Sequence, residues 1–392
     1  MPDALLITPE APFPPAGGGA LRTAALAEYL ARGYGLDVIV FRQPGQPDPK
    51  LSRLGKIARR VSVMDLPRHG RHGSARIVRN LGRLFRGVPP LLDRFAGFDD
   101  AIAAAIAGRR YELAVVEHFW CAPYAPSLKR AAGRLVLDLH NIESALHRGC
   151  CESEPWPLAA LHYRFEKACK RLERHWLPEF SLVLVASEED ADRVRRIAPA
   201  AQCGIYPNTI PLGTAPTVTR HEAVVFSGNL EYHPNVNAIL FFRDRIWPRL
   251  RQRHPHLVWR LVGKNPEAVR SHLPDDARIQ LTGPVEDAVG EIAAARVAVA
   301  PLRAGSGTRL KILEAWAAAT PVVSTTIGAE GLPAVPGEHL LIADDADEFA
   351  RAVSRLLDSP RLQARLGAAG RALVEREFSW KAGWEKLADL GI

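Results

Sequence analysis

Lys311 and Glu314 lie three residues apart in the run RAGSGTRLKILEAWAAAT, Arg303–Thr320, with Arg309 just before Lys311 and the glycines Gly305 and Gly307 further upstream. The spacing reads as a glycine turn that opens a helix. Free N–H groups and the positive end of the helix dipole at such an opening favour an anion, and two cations in the first turn strengthen that preference. Glu314, one turn beyond Lys311, sets a carboxylate just past the anion, where it can accept hydrogen bonds from the two hydroxyls of a ribose. Phosphate followed by ribose describes a nucleotide. The same residues also describe an ordinary surface pair at i, i+3, worth a few tenths of a kcal/mol, and spacing alone does not choose between the two. The pattern is neither GxxxxGK[ST] nor GxGxxG, which disfavours NTP hydrolysis and hydride transfer.

The elements that must hold these residues are a strand before the loop, Arg296–Pro301, a helix after it, and a second strand, Pro321–Ser324. Ser306 or Thr308 is placed to cap the helix, whose buried stripe is Leu310, Leu313 and Ala317. The rest of the chain repeats the alternation. Strands are expected at Ala4–Thr8, Val38–Phe41, Val61–Met64, Ala114–Glu117, Leu135–Asp138 and Leu182–Ala186, with helices between them such as Leu21–Arg32, Ala101–Ala107 and Leu158–Trp176. A Pro, Thr and Gly-rich stretch then marks a linker, and a second series follows: Val224–Ser227, Val258–Val262, Ile279–Leu281, Val297–Ala300, Val322–Ser324 and Leu340–Ile342. Strands alternating with helices imply parallel sheets. The expected organisation is two doubly wound domains facing a cleft: residues 1–205, a linker 206–221, residues 222–375, and a helical tail 376–392 that returns to the first domain through Trp380 and Trp384. A glycine loop also follows the first strand, at Gly17, Gly18 and Gly19, the place where open α/β sheets bind ligands.

Of the 392 residues, 51 are Lys or Arg and 43 Asp or Glu, a formal charge of +8. The excess is uneven: between Lys50 and Pro90 eleven basic residues meet one acid, Asp65. This belt reads as a solvated helical face, or else as a surface for an anionic acceptor or an anionic membrane. It lacks the interleaved aromatics of a nucleic-acid surface apart from Phe85, so no nucleic-acid partner is expected. Five cysteines, Cys121, Cys150, Cys151, Cys169 and Cys203, form no CxxC and no Cys/His ligand spacing, which indicates neither a disulfide framework nor a zinc site. Met1–Glu10 has no basic leader and no apolar run approaches about 18 residues, so a cytoplasmic protein is expected, with any membrane contact peripheral at the inner face.

Several ordered pieces together resemble the retaining glycosyltransferases of family four, the group 1 transferases with the GT-B fold. They are PPAGGGALR near the N-terminus, LDLHNIES at 137–144, FSGNLEYHPNVNAI at 226–239, LVGKNP at 261–266 and APLRAGSGTRLKILEAWAAATPVVSTTIGAEGL at 300–332. The resemblance implies a C-terminal domain that binds a nucleoside-diphosphate sugar, an N-terminal domain that binds the acceptor, and a reaction that needs no bound metal or cofactor. It makes Glu314 the ribose ligand, Arg309 and Lys311 the cations that hold the departing diphosphate, and Lys264 a further candidate. His140 matches the histidine that faces the transferred sugar, the alternative being a satisfied core histidine after its strand. Gly18 and Gly19 match the loop that approaches donor and acceptor, and Gly228 and Asn229 the loop near the diphosphate, although Asn229 also suits a turn position with positive φ. The family's first glutamate falls at Ser306, so the backbone amides of Ser306, Gly307 and Thr308 are left to contact the sugar. The implied activity is transfer of a sugar from a nucleoside-diphosphate sugar to a glycan, lipid-linked sugar or small molecule, in polysaccharide or glycoconjugate synthesis. Two rivals are a sugar-nucleotide epimerase on the same fold and a non-catalytic basic surface binder.

Overall fold

The computed structural model describes residues 1–15, 17–68, 82–83, 87–153, 156, 158–304 and 309–392. The chain divides into two compact units, Met1–Asn208 with Trp384–Ile392, and Thr209–Gly383. Each is an α/β layer structure around one parallel sheet.

The sheet of the first unit contains β1 (Asp3–Thr8), β2 (Gly35–Arg42), β3 (Arg60–Asp65), β4 (Tyr111–Glu117), β5 (Ala132–Asp138), β6 (Leu182–Val185) and β7 (Cys203–Ile205). Their order is β3-β2-β1-β4-β5-β6-β7, all parallel. Helices cover both faces, which is why the strands read as continuous apolar runs rather than as alternation. Leu5, Ile39, Val116, Leu137 and Val183 lie in one core. The expected strands are all present, lengthened by one to three residues at most ends; β7 is an additional edge strand in a stretch read from sequence as the approach to a linker.

The first helix, α1 (Gly18–Gly33), begins three residues before the expected Leu21, with Gly17 as its N-cap. Its φ of +105° is open to glycine and strained for other residues, and its carbonyl accepts the Leu21 N–H at 3.0 Å. Gly18 and Gly19 are therefore helical residues of the first turn. Two further helices of this unit are α2 (Glu143–Ser153) and α3 (Leu158–Trp176).

The second unit has β8 (His221–Ser227), β9 (Val258–Val262), β10 (Ile279–Gly283), β11 (Ala295–Ala300), β12 (Val322–Ser324) and β13 (Leu341–Ile342), in the order β10-β9-β8-β11-β12-β13. Phe242 and Trp247 pack against Trp259 at 4.7 and 5.8 Å to form its core with Phe349. The helix after the glycine loop is α4 (Leu310–Ala317). Its buried side is Ile312, Leu313, Ala315, Trp316 and Ala317, while Leu310 is half-exposed, so the expected stripe is rotated: the indole of Trp316 takes the inner position and donates to the carbonyl of His339 at 3.1 Å. Ser306 and Thr308, the expected caps, lie outside the described residues. The last helix, α5 (Trp380–Asp389), leaves the second unit and from Trp384 onward belongs to the first. There the Trp384 indole donates to the Ala25 carbonyl at 2.9 Å and stacks under Arg32 at 3.9 Å.

Several described cations of the 50–90 belt are committed inside the first unit. Arg59 bridges Asp3 at 2.7 Å and Asp37 at 3.0 Å, Arg60 lies 3.7 Å from Asp37, and Arg83 pairs with Asp93 at 2.8 Å. Arg71, Arg76, Arg79 and Arg86 are outside the described residues. No helix among the described residues is long and apolar enough to cross a membrane.

Candidate functional site

In both sheets the strand order reverses beside the first strand, between β1 and β4 and between β8 and β11. Loops leaving such neighbours in opposite directions open a crevice at the carboxyl ends of the strands, where ligands bind in open α/β sheets. The polar clusters of each unit lie there.

In the second unit, β8 ends at Ser227 and the chain turns at Gly228, φ +141°. Across from it Gly263, φ +147°, follows β9, and a Cβ on Gly263 would stand 1.8 Å from the Gly228 carbonyl oxygen. Two bare backbones touch here, so the two loops are held at one fixed spacing. They are cross-braced: Asn265 Nδ2 donates to Asn229 Oδ1 at 2.9 Å and Glu231 Oε2 at 3.1 Å, and the Leu230 N–H donates to the Lys264 carbonyl at 3.0 Å. The positive φ considered for Asn229 falls instead on Asn265, at +60°. The Asn229 side-chain oxygen is engaged by both loops, accepting from the Glu231 N–H of its own and from Asn265 of the other, and the Lys264 side chain is exposed.

α4 brings its first turn to this frame. Lys311 Nζ donates to Asn235 Oδ1 at 2.8 Å and lies 4.9 Å above the Phe226 ring. Asn235 in turn donates to the Asn229 carbonyl at 2.8 Å, which fixes its amide. Glu314 accepts from the Ser227 hydroxyl at 3.1 Å. Burial lowers the Lys311 pKa to about 8, with Glu314 opposing and Arg309 adding to the shift. Burial raises that of Glu314, against the Ser227 hydrogen bond and the Lys311 charge. Arg309 is buried and pairs with Glu330 at 3.3 Å; burial lowers its pKa. The second unit thus brings together Gly228, Asn229, Lys311 and Glu314. It adds Ser227, Asn235 and Glu330, which spacing alone did not select. Ser306, Gly307 and Thr308 lie outside the described residues.

In the first unit, the residue after β4 is His118 and the second residue after β5 is His140. The imidazoles stack, with centroids 3.7 Å apart. His140 Nε2 faces two fully buried carboxylates, Asp138 Oδ2 at 3.6 Å and Glu117 Oε1 at 3.8 Å. A proton on Nε2 is favoured by those oxygens, which leaves the Nδ1 lone pair on the side of Gly19. A Cβ on Gly19 would lie 3.4 Å from Nδ1 and 3.1 Å from Glu10 Oε1, so this helical glycine leaves the imidazole uncovered.

Asp138 is gripped by Arg22 of α1: Nε lies 2.8 and 3.0 Å from its two oxygens. The same guanidinium donates to the Tyr206 carbonyl at 2.6 Å and Asn208 Oδ1 at 3.0 Å. Glu117 accepts from the Thr23 hydroxyl, and burial pushes its carboxyl above the usual range, against the pull of His140. Glu117, Asp138 and His140 bring ligand atoms within 4.8 Å of one another, the one such group among the described residues. The charge these carboxylates already face is the Arg22 guanidinium. Behind the histidines, Trp120 stacks on His118 at 4.2 Å and donates its indole N–H to Glu143 Oε1 at 2.8 Å. Burial raises the Glu143 carboxyl to about 7, with Glu173 adding to the shift and the indole opposing it.

Two tandem doubly wound units, each with a polar cluster at its strand-order reversal, define the GT-B architecture. Residues 16–214 match the sequence model of Glycosyltransferase Family 4, and residues 221–359 that of Glycosyl transferases group 1. The chain belongs to the group 1 glycosyltransferases of family 4. It is 33% identical over 112 residues to a GDP-mannose-dependent monoacylated alpha-(1-6)-phosphatidylinositol monomannoside mannosyltransferase of Corynebacterium glutamicum; the match covers 27% of this chain and only 29% of that enzyme. A protein of the cps region of Klebsiella pneumoniae is 22% identical over 88% of this chain and 89% of its own length. Among solved structures, sucrose-phosphate synthase of Thermosynechococcus elongatus superposes with a TM-score of 0.73 at 20% identity, covering 100% of this chain and 98% of its own. Anabaena HepE in complex with UDP-glucose gives 0.68 at 15% identity, over 100% and 99%.

Proposed function

We propose that this glycosyltransferase uses a nucleoside-diphosphate sugar and transfers the sugar with retention of configuration. The second unit takes the nucleotide and the first the acceptor. The observation that carries the reading is the Lys311–Glu314 pair at the strand reversal of the second sheet: a cation held by Asn235 beside two bare glycine loops, and a carboxylate one turn on. Lys311 and Arg309 hold the diphosphate, with Lys264 at the rim and Gly228 at the loop beside it; Glu314 takes the ribose hydroxyls. The GDP-mannose dependence named for the corynebacterial relative and the UDP-glucose bound to Anabaena HepE support a sugar-nucleotide donor.

Chemically, the bond from the anomeric carbon to the diphosphate oxygen breaks through an oxocarbenium-like state. Negative charge grows on the leaving group, where fixed cations stabilise it and stand in for a metal ion. The acceptor oxygen attacks from the same face, and its proton passes to the departing phosphate oxygen. His140 lies along the transferred sugar and offers Nδ1 to it, while the carboxylates below favour positive charge on that side of the site. Polysaccharide or glycoconjugate synthesis is the setting, with peripheral contact at an anionic membrane surface.

The test is a binding and hydrolysis screen against UDP-glucose, GDP-mannose, ADP-glucose and dTDP-glucose. One nucleotide should bind, and Lys311→Ala and Glu314→Ala should each weaken it by roughly 10- to 100-fold, a charged hydrogen bond being worth about 1.5–3 kcal/mol. No binding to any of the four would sink the reading. Wild-type turnover in His140→Ala with the true acceptor would remove the role given to that residue.

A further inference from the structure

The first unit turns two imidazoles toward Gly19, and the second belongs to a residue that is costly to keep. His118 has φ +63° and ψ 142°, a conformation that glycine adopts freely and other residues rarely do. The sheet ladder does not require a side chain there, because the bond that continues it runs from the His118 backbone N–H to the Asp138 carbonyl at 2.9 Å. Strain of this kind persists only where the surroundings over-determine it, and here they do. His118 is clamped between Trp120, centroids 4.2 Å apart and planes at 17°, and His140, at 3.7 Å and 30°. Trp120 is itself held by Glu143 and stacked on Phe95 at 5.5 Å.

The clamp fixes the ring while leaving its polar atoms unspent. His118 is 6% exposed, yet neither ring nitrogen makes a hydrogen bond among the described residues. Nε2 lies 3.8 Å from the position a Cβ on Gly19 would take, the same point that His140 Nδ1 approaches at 3.4 Å and Glu10 Oε1 at 3.1 Å. Three polar atoms from three loops thus converge where a side chain is missing. Burial, with His140 and Arg22 nearby, holds the imidazole neutral. A neutral ring offers one donor nitrogen, one acceptor nitrogen and no charge, which suits a hydroxyl better than a phosphate.

We propose that His118 is a second sugar-binding residue beside His140, its Nε2 hydrogen-bonded to a hydroxyl of the transferred sugar. The assignment rests on the sugar-nucleotide reading above.

The decisive variant is His118→Phe, which keeps a ring in the stack and deletes both nitrogens. His118→Asn, whose short amide tolerates positive φ and can still bond, is its partner, and His118→Gly releases the strain should the bulkier ring fail to fold. Each is titrated with the sugar nucleotide that the wild-type protein binds and, separately, with the corresponding free nucleoside diphosphate. Affinity for the sugar nucleotide should fall about 10-fold or more in the Phe and Gly variants, with partial recovery in Asn, while affinity for the free diphosphate stays at the wild-type value. Equal affinity of wild type and His118→Phe for the sugar nucleotide would overturn the assignment and leave His118 as a stacking residue only. A parallel loss of free-diphosphate affinity would overturn it too, since the effect would then not be on the sugar. A wild-type protein that binds no sugar nucleotide would bring down the donor reading and this one with it, an outcome seen before any variant is made.

Discussion

Lys311 and Asn235, 76 residues apart in sequence, meet at 2.8 Å, and the amide that receives the ammonium also holds the Asn229 carbonyl. The cation is thereby built into the loop frame of the second unit. Because burial brings its pKa down to about 8, its charge is lost from the folded protein as the pH rises through that value. Anion affinity should therefore weaken between about pH 7 and about pH 9, and Lys311→Arg should flatten the profile. Stability moves the other way. Between the folded value and the ordinary lysine value the unfolded chain binds the proton more strongly, so the folded state gains stability with rising pH across that window. Nucleotide titrations at several pH values check the first effect and thermal melts the second. An affinity that is flat in pH would show that another group carries the anion.

Arg22 and Asp138 form a buried pair whose removal should be felt through the whole first unit. Arg22→Met leaves a carboxylate without its cation in the interior and should cost about 3–5 kcal/mol, read from the urea transition. Arg22→Met with Asp138→Asn should recover a large part of that loss, because the stranded charge is gone. A single variant as stable as wild type would contradict the pairing.

Gly263→Ala places a methyl 1.8 Å from a backbone oxygen and strains a φ of +147°. It should cost about 2–4 kcal/mol and weaken nucleotide binding, since the Gly228 loop must move. Gly213→Ala, with nothing within 4 Å of the new methyl, is the control and should be near neutral. Thermal melts of the two variants decide it.

The strands were legible because both faces of each sheet are covered and the runs are uniformly apolar: Leu5 to Ile7 or Val224 to Phe226 leave little choice of element. β7 was not, being three residues long and followed by Tyr206 and Pro207; its Gly204 carries no side chain because Leu390 packs where a Cβ would stand. Lys311 and Glu314 could be paired from spacing since one helix carries both. Arg22, Asn235 and Glu330 could not, because the contacts that define them cross 116, 76 and 21 residues. The sequence does carry a signal for the first cluster: the strands Tyr111–Glu117 and Ala132–Asp138 each end in an acid, with a histidine one or two residues later. Parallel neighbours in register, Glu117 beside Asp138, bring those two histidines together.

The membership of α5 in two units bears on how the protein is made. Synthesis delivers the segment from Trp384 to Ile392 only after every residue of the second unit has left the ribosome. Until then the Ala25 carbonyl lacks its indole, Arg32 its aromatic partner, and the Arg134 side chain the Leu390 carbonyl it binds at 2.9 Å. The first unit to be synthesised is thus the last to be completed, and a nascent chain paused before Trp384 carries an N-terminal half that still lacks its final layer.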